Sequence, residues 1–343
     1  MSSYEDDKWL QSIPPWASTN SAPFVPRRTL GALELFSGRD GHPNLPSNFT
    51  LLSKLLRRCA ASDLTEIEFP SEERYGIGLG DGTTYKVEKK RFWRPMRESY
   101  RWVAAKRAKF VIPNAPGEIR FADTAERNRL RAVLLEIEIL SHAPLKKHAN
   151  IARLLGYSWD QDVPGYAPVL VMELADFGTL QSLLDSQHLS DNERKGLCFD
   201  VACGLEALHE CMIVHGDVKL ENILVFADSQ KRFVAKVSDF EHSLLDNDLT
   251  GYQGTPIYNA PEVHLQRHYA TSGVSSRQTI PSAELPMCDV FSYGLLVFEV
   301  FCNGKRYHEF EESKDFVLAL TTANVGMLPG REWFSHSFGQ TLT

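Results

Sequence analysis

The 343-residue sequence lacks the features that mark secreted, disulfide-bonded and membrane-spanning proteins. Its six cysteines form no C-x-x-C pair and follow no regular spacing. The first eight residues are acidic and contain no apolar core, so no signal peptide is visible. The longest apolar run, residues 290–302, is too short to cross a bilayer and is interrupted by Ser292 and Glu299. We therefore expect a protein of the cytoplasm, or alternatively of the nucleus, with reduced thiols.

The sequence also lacks an excess of positive charge and any internal repeat. Its net charge of −7 gives no indication of a nucleic-acid partner. With 43% apolar and 24% charged residues, the composition is that of an ordinary globular protein, and the length is typical of about two domains. Residues 1–50 are rich in serine, proline, asparagine and glycine and follow no sustained period, which predicts a flexible leader.

The first half of the remaining chain has the pattern of a small set of strands with one helix. Asp123 followed by Glu126 predicts a helix start, and an apolar stripe with helical spacing continues to Leu140. Four runs around this helix are strand-like: residues 83–92, 101–110, 151–159 and 168–174.

The second half has a helical pattern. Ser190 and Glu193 form a capping box ahead of an apolar stripe with helical spacing. Residues 290–302 are apolar nearly all round, which predicts a helix buried inside a larger unit. Asn303-Gly304 is a plausible end for that helix.

One short stretch in this second half combines residues suited to phosphate chemistry. Residues 215–222 read His-Gly-Asp-Val-Lys-Leu-Glu-Asn, and Asp239-Phe240-Glu241 begins seventeen positions after Asn222. An aspartate at position 217 can orient a substrate hydroxyl or accept its proton, and Lys219 can balance negative charge on a phosphoryl group in transfer. Asn222 and Asp239 offer the hard oxygen ligands that Mg²⁺ prefers.

These stretches resemble the catalytic loop H-x-D-x-K-x-x-N and the metal-binding D-F-G of eukaryotic protein kinases. The resemblance runs from about residue 67 to about residue 322, with its parts in the family's order. It implies an α+β, two-lobed fold, with an antiparallel sheet and one helix in a nucleotide-binding lobe over residues 67–174. A larger, mainly helical catalytic lobe would follow over residues 175–343. The implied activity is ATP- and Mg²⁺-dependent phosphorylation of a protein substrate, without a nucleic-acid or membrane partner.

A glycine-rich stretch lies where the family has its phosphate-covering loop. Gly78, Gly80 and Gly82 resemble G-x-G-x-x-G-x-V, but the stretch is one residue short and has Thr84 in place of valine. Glycine lets backbone N–H groups approach phosphates that a Cβ would hold away. The alternative is an ordinary glycine-rich hairpin turn.

Val103-Ala104-Ala105-Lys106 resembles the family's V-A-I-K strand, whose lysine contacts the phosphates and pairs with a glutamate on a helix. Glu136 lies on the apolar side of the predicted helix, where a carboxylate is costly unless it is paired. We therefore expect a Lys106–Glu136 ion pair. Glu138 is the alternative partner, and a solvated Lys106 is the simplest alternative.

By the same resemblance, Glu173 and Ala175 lie at the hinge that contacts adenine through its backbone. The carbonyl of Glu173 and the N–H of Ala175 would meet the base, and Ala104 and Leu224 would enclose its ring. Each of these residues is equally explicable as part of the core.

Two further positions extend the resemblance into the second half. Thr255 lies in a stretch, residues 254–262, that resembles the substrate-docking segment ending in A-P-E. Together with Lys219, it fits the serine/threonine-directed members. Asp289 resembles the aspartate that anchors the backbone of the catalytic loop, with a helix N-cap as the alternative.

The sequence departs from the family at three places. Gly216 replaces the usual arginine of the catalytic loop, and Glu241 replaces the glycine of D-F-G. Only 54 residues follow Asp289, so we expect an incomplete catalytic lobe, and residues 266–286 are an insertion relative to the family. These departures leave a second hypothesis open, a pseudokinase or ATP-binding scaffold that acts through protein contacts.

Overall fold

The computed structural model describes most of the chain between residues 48 and 309. The leader before residue 48, residues 266–283 of the predicted insertion and the segment beyond residue 309 lie outside the described residues. The described residues are 48–62, 64–70, 76–94, 99–113, 124–160, 165–230, 232–245, 252, 254–264, 284–306 and 309.

The first half forms one six-stranded sheet in which every strand pair is antiparallel, as predicted. The strand order is β1-β2-β3-β6-β4, and β5 pairs with β6 as well. The four predicted strands are confirmed, with bounds shifted by up to three residues. The strands are β1 (Ile77–Asp81), β2 (Tyr85–Arg94), β3 (Ser99–Ala108), β4 (Ile112–Pro113), β5 (Leu154–Asp160) and β6 (Gly165–Glu173).

Two helices pack on this sheet, where only one was predicted. Helix α2 (Thr124–Ser141) is the predicted one. Helix α1 (Asn48–Ala61) precedes the sheet and packs against α2 and β4. The predicted leader over residues 1–50 is therefore wrong at its end, because α1 begins at Asn48. The four-residue spacing of Leu55 and Cys59, both fully buried, is the signal that would have revealed this helix.

The second half is mainly helical, with two small antiparallel sheets that were not predicted. Strand β7 pairs with β10, and β8 pairs with β9. The capping box is confirmed, since Ser190 and Glu193 exchange hydrogen bonds at the start of α4. The elements are α3 (Leu180–Ser186), α4 (Asp191–Glu210), β7 (Ile213–Val214), β8 (Ile223–Ala227), β9 (Phe233–Val237), β10 (Leu244–Leu245) and α5 (Leu285–Phe301).

Helix α5 corrects the expectation of a helix buried all round. Cys288, Leu296 and Val300 are fully buried, whereas Met287 and Val290 on the other side are exposed. The helix ends near the predicted residues, since Asn303 and Gly304 adopt positive φ angles of 56° and 77°.

One continuous core joins the two lobes and holds the loops between them in place. Buried apolar side chains from α1, α2, β6, α3, α4 and α5 belong to a single cluster. All six cysteines are described and none forms a disulfide, in agreement with the sequence. In the part of the chain that is described, the helices are too short or too polar to cross a bilayer.

Candidate active site

The predicted Lys106–Glu136 pair is present and joins β3 to α2. The Lys106 ammonium donates a hydrogen bond to Glu136 Oε1 at 2.7 Å, and the Glu136 side chain is fully buried. The alternative partner, Glu138, forms an ion pair with Arg58 of α1 at 3.0 Å instead. Glu138 therefore fixes α1 to α2, while Glu136 reaches into the cleft.

Lys106 also joins the two lobes, because its Nζ lies 3.2 Å from Asp239 Oδ1. Lys106 and Asp239 are 133 positions apart in the sequence, so this contact connects the first half of the chain to the second. Burial lowers the pKa of Lys106, but the charges of Asp239 and Glu136 outweigh it and raise the pKa above its ordinary value. Lys106 is consequently a permanent cation at this point of the cleft.

Asp217 accepts hydrogen bonds on both carboxylate oxygens. Lys219 Nζ donates to Oδ2 at 2.6 Å, and the backbone N–H and hydroxyl of Thr255 both donate to Oδ1 at 2.7 Å. Burial raises the pKa of Asp217, but the hydrogen bond and charge of Lys219 and the hydrogen bond from Thr255 outweigh it and hold the pKa at about 2.

Asn222 is turned so that its amide nitrogen faces Asp217. The Nδ2 group donates to the Asp217 carbonyl at 2.8 Å and to Asp217 Oδ2 at 2.9 Å. Its amide oxygen therefore points away from Asp217. An amide oxygen and a carboxylate such as that of Asp239 are ligand types that Mg²⁺ accepts, usually one or two from the protein with phosphates and water completing the shell. The described residues contain no cluster of three or more His, Cys, Asp or Glu ligands.

Asp289 anchors the loop that carries Asp217, and the N-cap alternative is wrong. Helix α5 begins at Leu285, so Asp289 lies inside it, fully buried. Its carboxylate accepts hydrogen bonds from the backbone N–H groups of His215 at 2.7 Å and Gly216 at 2.9 Å. Oδ2 also lies 2.9 Å from His209 Nε2.

Gly216 is required by the backbone at that point. Its φ angle is +78°, and a Cβ added there would lie 2.5 Å from the carbonyl oxygen of His242. The side chain that the family usually has at this position does not fit this arrangement without a shift.

The segment after Asp239 is held by packing and by a polar contact to the glycine-rich hairpin. Phe240 is fully buried against the His215 ring, with ring centroids 5.4 Å apart. Burial raises the pKa of Glu241, but hydrogen bonds from His242 and Thr84 outweigh it and lower the pKa. Two of the departures from the family pattern, Glu241 and Thr84, are therefore hydrogen-bonded to each other.

The glycine-rich stretch forms a hairpin rather than a separate loop. Gly78 and Gly80 lie in β1, which pairs with β2 through an irregularity between them, and the Gly82 N–H donates to the Tyr85 carbonyl at 2.9 Å. A Cβ added at Gly78 or Gly80 would meet no atom within 4 Å. Packing among the described residues therefore does not explain why these two positions are glycine and not a larger residue.

The predicted hinge residues lie where the two lobes meet. Strand β6 ends at Glu173, and the half-buried Ala175 follows it towards α3. The Glu173 carboxylate accepts hydrogen bonds from Lys236 at 2.7 Å and from the Arg153 N–H at 2.9 Å, which fixes this end of the strand. Ala104 and Leu224 are both half-buried against the core.

Arg306 is a residue of this region that the sequence did not reveal. It follows α5 and donates to the Tyr258 hydroxyl at 2.6 Å and to the carboxylate of Glu221 in the catalytic loop. Tyr258 in turn donates to the buried Glu299 at 3.0 Å. The network joins the loop, the segment before Glu262 and α5. In the sequence, only the presence of a carboxylate, Glu299, within an otherwise apolar run hinted at it.

A family model for the protein kinase domain matches residues 118–329, which is more than half of the chain. The chain belongs to the protein kinase family. The two-lobed α+β architecture of the described residues agrees with this assignment. Members of the kinase family use ATP and a divalent metal ion in general.

Several kinases are similar to this chain over part of their length. Serine/threonine-protein kinase 33 of Bos taurus is 32% identical over 160 residues, which cover 43% of this chain and 30% of that protein. Serine/threonine-protein kinase DCLK1 of Mus musculus is 27% identical over 312 residues, covering 84% and 38%. Inactive tyrosine-protein kinase 7 of Homo sapiens is 31% identical over 196 residues, covering 54% and 16%. The chain thus spans less than two fifths of each of these relatives.

Proposed function

We propose that this kinase transfers the γ-phosphoryl group of ATP to serine or threonine hydroxyls of protein substrates. The observation that carries the proposal is the convergence of charged groups at one cleft. Lys106 Nζ contacts the carboxylates of both Glu136 and Asp239, and the Phe240 ring next to Asp239 packs on His215, two residues before Asp217. A cleft with this set of groups suits phosphoryl transfer, which depends mainly on positioning and electrostatics.

Asp217 would orient the substrate hydroxyl. With a pKa of about 2 it is a carboxylate at neutral pH and a weak base. Its contribution is therefore to accept the hydrogen bond of the hydroxyl and to align its oxygen for attack. The four hydrogen bonds that it accepts from Lys219, Asn222 and Thr255 hold the carboxylate in one orientation before a substrate arrives.

Lys219 and Thr255 support the serine/threonine assignment. Lys219 Nζ donates to Thr255 Oγ1 at 2.9 Å as well as to Asp217, so the three side chains form one closed group. Lys219 would offset negative charge on the phosphoryl group as it moves. Lys106 would do the same for the phosphates of bound ATP.

The remaining predicted residues would hold the nucleotide and its metal. Bound Mg²⁺ would neutralise phosphate charge, and Asn222 and Asp239 would be its protein ligands. Gly78, Gly80 and Gly82 would bring backbone N–H groups close to the phosphates. The adenine ring would lie between Ala104 and Leu224 and meet the backbone of Glu173 and Ala175.

A nucleotide-binding scaffold without phosphotransfer is the second candidate. The observation that favours it is the Glu241 carboxylate, which is partly buried two residues from Asp239 and bound to Thr84 of the hairpin. An added negative charge there opposes the phosphates of ATP. The intact arrangement of Lys106, Glu136 and Asp217 supports the enzyme instead.

The proposal is tested with purified full chain, radiolabelled ATP, Mg²⁺ and a generic protein acceptor. We expect phosphorylation on serine or threonine, and a loss of at least roughly 100-fold in turnover for Asp217→Ala. The matched control is Asp185→Ala, an exposed acid of α3, which should leave turnover unchanged. Undiminished phosphorylation by Asp217→Ala contradicts the assignment. ATP-dependent thermal stabilisation without phosphorylation by the unmodified chain supports the scaffold.

We propose that the kinase acts in the cytoplasm, in line with its free thiols. We place its protein substrates in that compartment.

A further inference from the structure

The hairpin formed by β2 and β3 carries a charge opposite to that of the whole chain. Residues 86–107 contain nine lysines and arginines and two glutamates, a net charge of +7. The chain as a whole has a net charge of −7, so the other residues together carry −14. Part of this net charge is offset by carboxylates from outside the hairpin, since Lys106 contacts Glu136 and Asp239 and Arg107 contacts Asp160 at 3.3 Å. The hairpin is nevertheless a strong local concentration of positive charge.

One face of this hairpin combines cations with exposed aromatic rings. Arg91 pairs directly with Trp102, and Trp93 with Tyr100, so these four side chains share a face, together with Lys89 two residues before Arg91. Trp93 and Trp102 are each 43% exposed and Tyr100 is 53% exposed. We call Lys89, Arg91, Trp93, Tyr100 and Trp102 the aromatic–basic stripe.

The stripe continues the face of the sheet that carries the nucleotide-site residues. Ala104 and Lys106 follow Trp102 at two-residue intervals on β3 and therefore point to the same side. Strand β6 pairs with β3 only from Val103 onwards. Towards the β2–β3 connection from Val103, the described sheet consists of β2 and β3 alone. Arg91, Trp93, Tyr100 and Trp102 lie in this two-stranded extension, and Lys89 lies next to it, opposite Ala104.

The cations of the stripe lie on its rings. Lys89 Nζ is 4.7 Å from the centroid of the Trp102 ring. The Arg91 guanidinium is 5.2 Å from the Trp102 ring and 5.3 Å from the Tyr100 ring. These cation–π contacts restrict the Lys89 and Arg91 side chains before a partner binds. The two side chains therefore lose less conformational entropy on binding.

We propose that the aromatic–basic stripe binds an acidic, aromatic-containing peptide segment of a partner protein. Carboxylates of such a segment complement the positive charge of the hairpin, and tryptophan, tyrosine and arginine are the residue types that dominate binding energy at protein interfaces. Single-stranded nucleic acid fits less well, because base stacking needs open ring faces. The Trp102 ring is already contacted by Lys89 and Arg91, and the Tyr100 ring by Arg91 and Trp93. This binding requires no phosphotransfer and is separate from the proposed function.

The test measures binding by fluorescence anisotropy with the full chain, without ATP and at about physiological ionic strength. The probe is a fluorescein-labelled peptide of glutamate residues interspersed with phenylalanine, and the control probe has glutamine in place of glutamate. The double variant Lys89→Glu/Arg91→Glu should weaken binding of the acidic probe by roughly tenfold or more. The matched control is Lys147→Glu/Lys195→Glu, which makes the same charge change at two exposed positions outside the sheet and should change affinity less than about twofold.

Trp102→Ala keeps the net charge and should weaken binding roughly fivefold or more, which separates the stripe from simple charge attraction. It also serves as the deciding variant if thermal unfolding shows that the charge-reversed protein does not fold. The proposal is overturned if the acidic probe does not bind, if the glutamine probe binds equally well, or if the two charge-reversed variants lose affinity equally. It is also overturned if oligouridylate or phosphatidylserine vesicles bind through the stripe in preference to the acidic probe.

Discussion

The two sides of the cleft are held in very different ways. The catalytic loop is buried, with His215 fully enclosed and Asp217 and Asn222 each 5% exposed, and its polar groups hydrogen-bond to each other and to Asp289. Strand β1, on the opposite side, is exposed at every residue and, among the described strands, pairs only with β2. The loop is therefore ordered by the protein itself, whereas the glycine-rich strand has few contacts within the protein.

This difference separates two kinds of substitution. Changes at His215, Asp217 or Asn222 in the catalytic loop should affect the free energy of unfolding and activity together, because these side chains satisfy buried polar groups. Changes in β1 should affect nucleotide binding with little effect on stability. The predictions below test this separation, beginning with the largest expected effect.

Asp289→Ala should produce the largest loss of stability. The substitution leaves the buried N–H groups of His215 and Gly216 without an acceptor, at a combined cost of about 3–5 kcal/mol in the free energy of unfolding. The midpoint of thermal unfolding should fall by roughly 10 °C. Asp185→Ala, at an exposed position, is the control and should stay within about 0.5 kcal/mol. A similar midpoint for the two variants would show that the loop is not anchored through Asp289.

Acid should remove a smaller contribution that comes from Asp217. Its pKa is about 2 in the folded protein and about 3.9 in an unfolded chain. Because the folded value is the lower one, the contribution of about 2 kcal/mol is present above pH ~4 and is lost as the pH falls towards 2. Urea unfolding of the unmodified protein and of Asp217→Asn across this range measures it. The stability difference between them should shrink by about that amount, and a constant difference would refute the assignment.

The same substitution, glycine to alanine, should have opposite outcomes on the two sides of the cleft. Gly216→Ala should cost about 2 kcal/mol, because its φ is +78° and the new Cβ would meet the His242 carbonyl. Gly78→Ala and Gly80→Ala should change stability by less than about 0.5 kcal/mol. They should nevertheless weaken ATP binding roughly tenfold, measured as the loss of ATP-dependent thermal stabilisation. Equal stability losses at positions 78 and 216 would show that the backbone does not require glycine at 216 more than at 78.

Much of the fold followed from local rules that the sequence displays directly. The capping box at Ser190 depends on neighbouring residues, so the start of α4 was predictable. The Lys106–Glu136 contact was predictable because a carboxylate on the apolar side of a helix needs a cation. The anchoring contact of Asp289 followed from the family resemblance alone, because a helix N-cap was equally consistent with the residue type.

The missed features depend on tertiary packing. Arg306 reaches Glu221 across 85 positions, and no local pattern specifies which of the chain's arginines does so. The contact between Thr84 and Glu241 is similar, because it joins residues from two lobes. The roles assigned to the nucleotide-site residues remain predictions, since they concern atoms of a bound substrate.

Helix α1 has a practical consequence for anyone who shortens this protein. A fragment that begins at the first glycine of the hairpin would retain every residue assigned to chemistry. It would nonetheless lose two side chains, Leu55 and Cys59, that fill the back of the small lobe, and Arg58, the counter-ion of Glu138. Helix α2 would then have an uncovered apolar side, and the carboxylate of Glu138 would lose its ion pair with Arg58. Fragments intended for biochemical work should therefore start upstream of Asn48.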